Sequence, residues 1–457
     1  MIDLSHRKVY ESHSIANSGS RLSILEKAGL AIFGIGMLLM VAGWLGGTSI
    51  ATGGWQSTWL WTTWGAIIAG GLMYALKKHL KTPPGIRNNR MTTDSLTGRG
   101  AVGWMVAVVF TSFYVVLYWF PDYMEGIVRL HDPLSMALRG KPADRWLVYG
   151  TFYTVAVLVM GAKAILKYRH SRYQIIRTLS IMIAQLGLAY LLPAFLAKIN
   201  QPEVYLSYLW PLAYDKLFPS SVESFMKAGA FGYFVIGWFV VGTLIATPVL
   251  TYFYGKRWYC SWICGCGGLA NTMGDSYRHL SDKSLKSWKI ERWMIHSVLV
   301  WIVLMTALLW MEPNLPAAFK EPLYKLRQWY GFLIGAAFAG VAGVGFYPLL
   351  GTRVWCRFGC PMAAILGMFQ RFNSRFRITT NGGQCISCGN CSKYCEMGID
   401  VRYYAQRGQN IIRGSCVGCG MCAAVCPRGV LSLENGPTEE RYNNENGLSQ
   451  LGEFKSR

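Results

Sequence analysis

The first 259 residues of this 457-residue chain contain no cysteine, and all thirteen fall between Cys260 and Cys426. That absence excludes a disulfide-stapled secreted scaffold, in which cysteines are spread through a small domain. Charge is scarce as well. Only 15% of residues are charged against 52% hydrophobic, too little polar surface to keep a chain of this length in water. Acidic residues are the scarcer kind, 23 against 45 Lys and Arg, for a net charge of +22. The excess invites a nucleic-acid reading, but the basic residues sit beside apolar stretches, where the positive-inside rule places them, which argues against such a partner. Histidine is rare, and only His296 falls within an apolar run, so a membrane b-haem would lack paired axial ligands. No Cys-x-x-Cys-His, Walker loop or dinucleotide fingerprint occurs, so neither c-type haem nor nucleotide binding has support. Glu203, Asp215, Glu312 and Glu321 read as solvated charges on outward loops, and no catalytic residue stands out.

What the chain does have is apolar length. Eight runs of about twenty residues are long enough to span a bilayer: 28–47, 57–76, 101–120, 146–166, 179–199, 229–252, 293–311 and 331–350. The polar first 26 residues and the long run after them read as an uncleaved first helix rather than a secretory signal. Orientation follows from the loops. The second, fourth and sixth are strongly basic, with Lys77, Lys78, Lys81, Lys167, Arg169, Arg172, Lys256 and Arg257 among their charges. The first loop has no charge, and the third balances its basic residues with acidic ones. Even-numbered loops and both termini are therefore expected in the cytoplasm, which places every cysteine in a reducing compartment. Trp119, Tyr123, Tyr205, Tyr208, Trp210, Tyr324, Trp329 and Tyr330 mark the opposite face as an interfacial aromatic belt. The expected organisation is membrane helices over 1–254, a region of repeated cysteine pairs with two further helices over 255–370, a ferredoxin-like domain over 371–434 and a mobile tail over 435–457.

Two runs carry the clearest chemistry. Cys385, Cys388, Cys391 and Cys395 form one Cys-x2-Cys-x2-Cys-x3-Cys run, and Cys416, Cys419, Cys422 and Cys426 form another, closed by Pro427. Three thiolates from one tight loop cover three corners of an iron–sulfur cube, and the fourth must come from elsewhere. In two-cluster ferredoxins the last cysteine of each run serves the other cluster. Cys385, Cys388, Cys391 and Cys426 are thus assigned to one [4Fe-4S] cluster, and Cys416, Cys419, Cys422 and Cys395 to a second. Zinc also accepts paired cysteines, but two complete four-cysteine runs suit it poorly. Glu396 follows Cys395 where ferredoxins often have proline.

A second pattern lies upstream. "GKRWYCSWICG" from Gly255 is echoed by "GTRVWCRFGCP" from Gly351, at a constant offset of 96 (356−260 and 360−264). Each copy follows an apolar run, so the chain repeats a helix followed by a cysteine pair. The matched thiols are Cys260, Cys264, Cys356 and Cys360, with Cys266 extra. Residues four apart share a helix face, so the two pairs suggest one further redox centre at the cytoplasmic membrane face, either another iron–sulfur cluster or a set of redox-active dithiols. A disulfide within a pair would need unwound backbone. Arg257 and Arg353 would offset the charge of the thiolates.

These motifs resemble the membrane polyferredoxins that include NapH, the membrane part of NosR, and CcoG, over roughly residues 229–434. The first copy departs from that pattern, with Gly265 in place of proline and Cys266 added. No segment is long enough for the periplasmic flavin-binding domain of NosR-type proteins, and the immunoglobulin-like domain of CcoG-type proteins is absent from the sequence. The resemblance implies an α-helical integral membrane protein of a prokaryotic inner membrane, carrying a small α+β two-cluster domain on the cytoplasmic side. It implies respiratory electron transfer between the quinone pool or a partner redox protein and these clusters. Two alternatives remain open: a CcoG-like maturation factor that reduces a metal or thiol for another enzyme, and a membrane anchor for a ferredoxin module.

Overall fold

The computed structural model describes residues 23–80, 82, 84–85, 94–381 and 384–436. Helices dominate. The long ones are α1 (Ile24–Thr52), α2 (Gln56–Leu80), α3 (Ala101–Trp119), α4 (Arg145–Lys167), α5 (Arg172–Lys198), α6 (Ala230–Tyr254), α7 (Leu285–Met311) and α8 (Ala317–Gly345). The start of α1 is fixed by its sequence: Ser23 accepts from the Glu26 amide while the Glu26 carboxylate accepts from the Ser23 amide, a reciprocal cap.

Seven of these helices are long and apolar enough to cross a membrane; α2 is the exception. Its first half carries Trp59, Trp61, Trp64, Thr58, Thr62 and Thr63, which lower its hydropathy. It nevertheless pairs along α1, with the Trp59 indole donating to the Leu39 carbonyl at 3.0 Å. The last expected span, 331–350, also shifts. Its helix begins at Ala317 and ends at Gly345, because the charged stretch around Lys320 and Arg327 winds continuously into the apolar one. The expected cytoplasmic termini and mobile tail fall on 1–22 and 437–457, outside the described residues.

Three long helices widen into π-helical turns, at Ala184–Leu191, Gly242–Ala246 and Gly331–Gly345. Each is followed within three residues by a proline, Pro193, Pro248 or Pro348. Proline supplies no amide and crowds the carbonyl four residues back, so a regular turn is disfavoured there.

The segment between α5 and α6 is not a simple surface loop. Thr243, near the middle of α6, donates its hydroxyl to the Trp210 carbonyl at 2.6 Å. The Tyr259 hydroxyl donates to the Ser207 carbonyl at 2.5 Å and accepts from the Leu209 amide at 3.3 Å. Irregular backbone at such depth is stable only when protein covers it and supplies its hydrogen-bond partners. This corrects the reading of Tyr208 as part of an outer belt, and Tyr330 is 1% exposed. Tyr123, Tyr324 and Trp329 do remain exposed.

Beyond α8 the chain forms α9 (Pro361–Asn373) and a two-stranded antiparallel sheet, β1 (Phe376–Thr380) and β2 (Leu431–Asn435), with Phe376 opposite Asn435. The sheet runs to Asn435, which still pairs with Phe376.

Candidate metal centres

Between β1 and β2 the chain folds twice in the same way. Gly389 and Gly420, both left-handed (φ 76° and 66°), each open a four-residue helix that carries the third cysteine of a run. Gly398 and Gly429 (φ 64° and 63°) turn the chain after the fourth. These positions are 31 apart (420−389 and 429−398), as are the cysteines (416−385). The local repeat is what lets the two runs exchange their last cysteine.

The exchange is visible in two small cavities. One is lined by Cys385, Cys388, Cys391 and Cys426, with Arg402, Pro427 and Arg428 at its edge. The other is lined by Cys416, Cys419, Cys422 and Cys395, with Ile378, Ile399, Val401 and Ile411 around it. Among the described residues, no three His, Cys, Asp or Glu side chains converge closely enough to hold a single metal ion. Four cysteines around each cavity are the donor set that the corners of a four-iron cube take. Apolar walls push the metal-free thiols up, to about 11 for Cys391 and about 12 for Cys395; metal binding would displace those protons.

The two cavities differ in depth. Of the thirteen cysteines only Cys388 is exposed, so the first cavity opens outward. The second faces the helices. Tyr173 donates to the Gly418 carbonyl at 2.8 Å, Gln174 to Cys419 O at 2.6 Å and Ser261 to Val417 O at 2.7 Å.

Cys260, Cys264, Cys356 and Cys360 come together in one apolar core with Trp258, Tyr259, Trp355 and Met362, each 3–4% exposed and each a free thiol. The two repeats adopt matching backbones. Gly255 (φ 67°) and Gly351 (φ 86°) lead in. A Cβ on Gly255 would lie 1.8 Å from the Phe376 Cβ, and one on Gly351 2.5 Å from the Ser281 hydroxyl. Five residues after the start of each motif's turn, the Cys264 amide donates to Tyr259 O at 2.9 Å and the Cys360 amide to Trp355 O at 3.0 Å. Cys264 and Cys360 are extended (ψ 128° and 111°) and precede the next helix. The expected helical i,i+4 pairing is therefore corrected: the wide turn takes the second cysteine of each pair off the helix, and the four thiols lie buried in one core. Gly265 is also explained, since a Cβ there would lie 2.6 Å from the Tyr208 hydroxyl.

Arg257 and Arg353, anticipated from the repeat, lie beside these thiols; the rest of the charge around this core was not legible from spacing. Arg353 Nη1 donates to Cys356 Sγ at 3.7 Å and to Cys260 O at 3.3 Å. Arg257 donates to Cys356 O at 2.9 Å. The Asn271 side-chain oxygen accepts from Arg177 (2.9 Å), Arg278 (3.3 Å) and Arg353 (3.1 Å). Glu396 is fully buried between Arg278 (2.9 Å) and Arg353 (3.0 Å), and Asp275 lies between Arg278 (2.7 Å) and Lys167. Sequence reasoning noted Glu396 only as a missing proline; its partners lie 43 and 118 residues away (396−353 and 396−278).

Comparison with known proteins agrees with this chemistry. Residues 384–431 match the model of a 4Fe-4S dicluster domain, and 236–286 and 332–379 each match that of a 4Fe-4S binding domain. The chain therefore contains 4Fe-4S binding domains, and the two latter matches each hold one of the repeated cysteine pairs. It is 26% identical to "Putative electron transport protein YccM" of Escherichia coli over 32% of this chain and 43% of the relative. It is 28% identical to "Methylamine utilization ferredoxin-type protein MauN" of Methylobacillus flagellatus over 34% of this chain and 53% of the relative. An uncharacterized protein of Methanocaldococcus jannaschii is 27% identical over 40% of this chain and 67% of the relative. The chain thus matches about half the length of the first two. No solved structure matches it. The relatives support an iron–sulfur electron-transfer role.

Proposed function

We propose that this chain is a multi-pass membrane electron-transfer protein that holds three iron–sulfur clusters in a row. Cys385, Cys388, Cys391 and Cys426 hold the outer one, Cys416, Cys419, Cys422 and Cys395 the inner one, and Cys260, Cys264, Cys356 and Cys360 the one at the membrane face. The observation that carries the reading is the gathering of the ferredoxin cysteines around two cavities in crossed sets. When bound, such clusters supply one-electron redox chemistry over potentials set by their surroundings. The residues insulate the deep sites with apolar walls and leave one corner, Cys388, in contact with solvent.

The buried charge favours a cluster over neutral dithiols at the membrane face. Arg177, Arg278, Arg353 and Lys167 are 3% exposed or less, and the described carboxylates bound to them are Asp275 and Glu396. Two buried positive charges in excess are costly unless anionic groups lie nearby, and thiolate-ligated iron–sulfur cubes are anionic.

The chain is read as eight spans, with α2 as the partner of α1, in a prokaryotic inner membrane with the cysteines in the cytoplasm. Domain limits near residues 254, 370 and 434 and cytoplasmic termini belong to the same reading. Arg402 and Arg428 line the outer cavity and, among the described residues, no carboxylate does, which suits a soluble, acidic redox protein docking at Cys388. The other electron partner is the quinone pool or a membrane-bound redox protein of a respiratory chain.

Iron and sulfide analysis of the purified protein, with electron paramagnetic resonance (EPR) of its reduced form, tests the reading. About twelve irons per chain are expected for three four-iron clusters; zinc, or fewer than eight irons, would overturn it. Deleting the gene should remove one respiratory activity while its terminal enzyme stays fully metallated. A terminal enzyme lacking its metal would establish the assembly-factor role instead.

A further inference from the structure

The cluster of buried charges lies between two of the cysteine sets. On one side Arg353 touches Cys356 and the Cys260 carbonyl. On the other, Glu396 is covalently adjacent to Cys395 of the inner ferredoxin set, and Cys419 of that set lies in the field of Glu396, Arg177 and Arg278. Asn271 ties the three arginines together through a single oxygen. Among the described residues its amide nitrogen has no protein partner, nor do Arg177 Nε and Arg353 Nε. A core built only to pin two segments together would pair its charges evenly and satisfy its donors. This one does neither.

We propose that the Arg177–Arg278–Arg353–Asn271 core, trimmed by Glu396, is a shared electrostatic regulator that sets the reduction potentials of the membrane-face and inner ferredoxin sites together. The proposal rests on the reading that both cysteine sets hold clusters. Each one-electron reduction adds one negative charge to a site walled off from water, where neighbouring charges act strongly. The arginines favour the reduced state at both sites, and the single negative charge of Glu396 limits that preference. The outer set borders Arg402 and Arg428 and opens to solvent, which screens it from the core. Glu396 and Asn271 are positioning residues in this scheme, since neither touches iron in the proposed ligand sets.

Two substitutions of near-identical shape give opposite signs. Glu396→Gln removes one negative charge, and Asn271→Asp adds one at the point where three arginines converge. The experiment is a dithionite titration of the full chain in detergent or lipid, followed by EPR, with iron counted in every sample. In Glu396→Gln the membrane-face and inner signals should both move to higher potential; in Asn271→Asp both should move to lower potential. The outer signal should stay in place in each. Glu396→Asp keeps the charge and should restore the wild-type potentials. Asn271→Asp gains ion pairs, so it remains informative should Glu396→Gln fold poorly. Full iron with unmoved potentials, or movement of one site alone, would overturn the coupling while leaving the cluster assignment standing. Wild-type chain without iron would instead overturn the reading beneath it.

Discussion

The chemistry of this protein is concentrated in a few side chains whose partners are distant in sequence. Asp275 accepts from the Tyr168 hydroxyl at 2.8 Å and pairs with Arg278 and Lys167. Burial would raise its carboxyl, but the two cations hold it well below the usual carboxylate range. Its folded pKa is thus lower than its unfolded one, near 3.9. The stability it contributes is complete above that value and is lost as pH falls through the folded pKa. Asp275→Asn leaves two buried cations short of a partner and should destabilise the protein by about 3–5 kcal/mol, seen as earlier thermal unfolding at neutral pH. The loss relative to wild type should shrink in acid. At the membrane-face site, Cys260→Ser with Cys356→Ser should remove about four irons per chain. Unchanged iron with altered thiol titration would show dithiols instead. The eight ferredoxin cysteines and their crossing were legible in the sequence because cluster loops are local and spacing alone dictates reach. Glu396 was not, because its role exists only through Arg278 and Arg353, which no spacing rule connects to it.

At the scale of elements, the repeat at an offset of 96 announced that two helix-plus-cysteine units build one site, and the matching backbones at Gly255 and Gly351 agree. The side-chain arrangement within each unit was misread. Helical periodicity assumes a regular turn, whereas Cys264 and Cys360 follow a wide turn and lie in extended backbone. Replacing Gly351 by Ala would force a Cβ against Ser281 in a left-handed backbone, and should lower both thermal stability and iron content. Apolar length in the sequence suggested eight spans; seven of those helices qualify by length and hydropathy, while the Trp- and Thr-rich start of α2 leaves it below the others. Alkaline phosphatase fused after Gly54 should be active and after Arg99 inactive; activity at both points would mean that α2 does not cross.

For the whole molecule, composition sufficed to set membrane against water, and cysteine placement separated an electron-carrying half from a cysteine-free one. The order of the three sites could not be read from the chain, because it depends on which cavity faces solvent and which faces the helices. If the outer cavity is the port, Arg402→Gln with Arg428→Gln should slow reduction by an acidic soluble redox protein about tenfold at low ionic strength. The salt dependence of that rate should flatten, with iron content unchanged. Equal rates in stopped-flow mixing would place the port elsewhere.

The segment that dips to the middle of α6 has an electrical meaning. Through Ser207 and Leu209 it meets Tyr259, next to Cys260, and through Trp210 it meets Thr243 in the middle of α6. Where α6 crosses a membrane, this segment would link the middle of the transmembrane voltage, at Thr243, to the residue beside the membrane-face thiols. A charge crossing the full field gains or loses about 2.3 kcal/mol per 100 mV. An electron entering from the far side would therefore traverse part of that drop before reaching Cys260, and its arrival would respond to the energised state of the membrane.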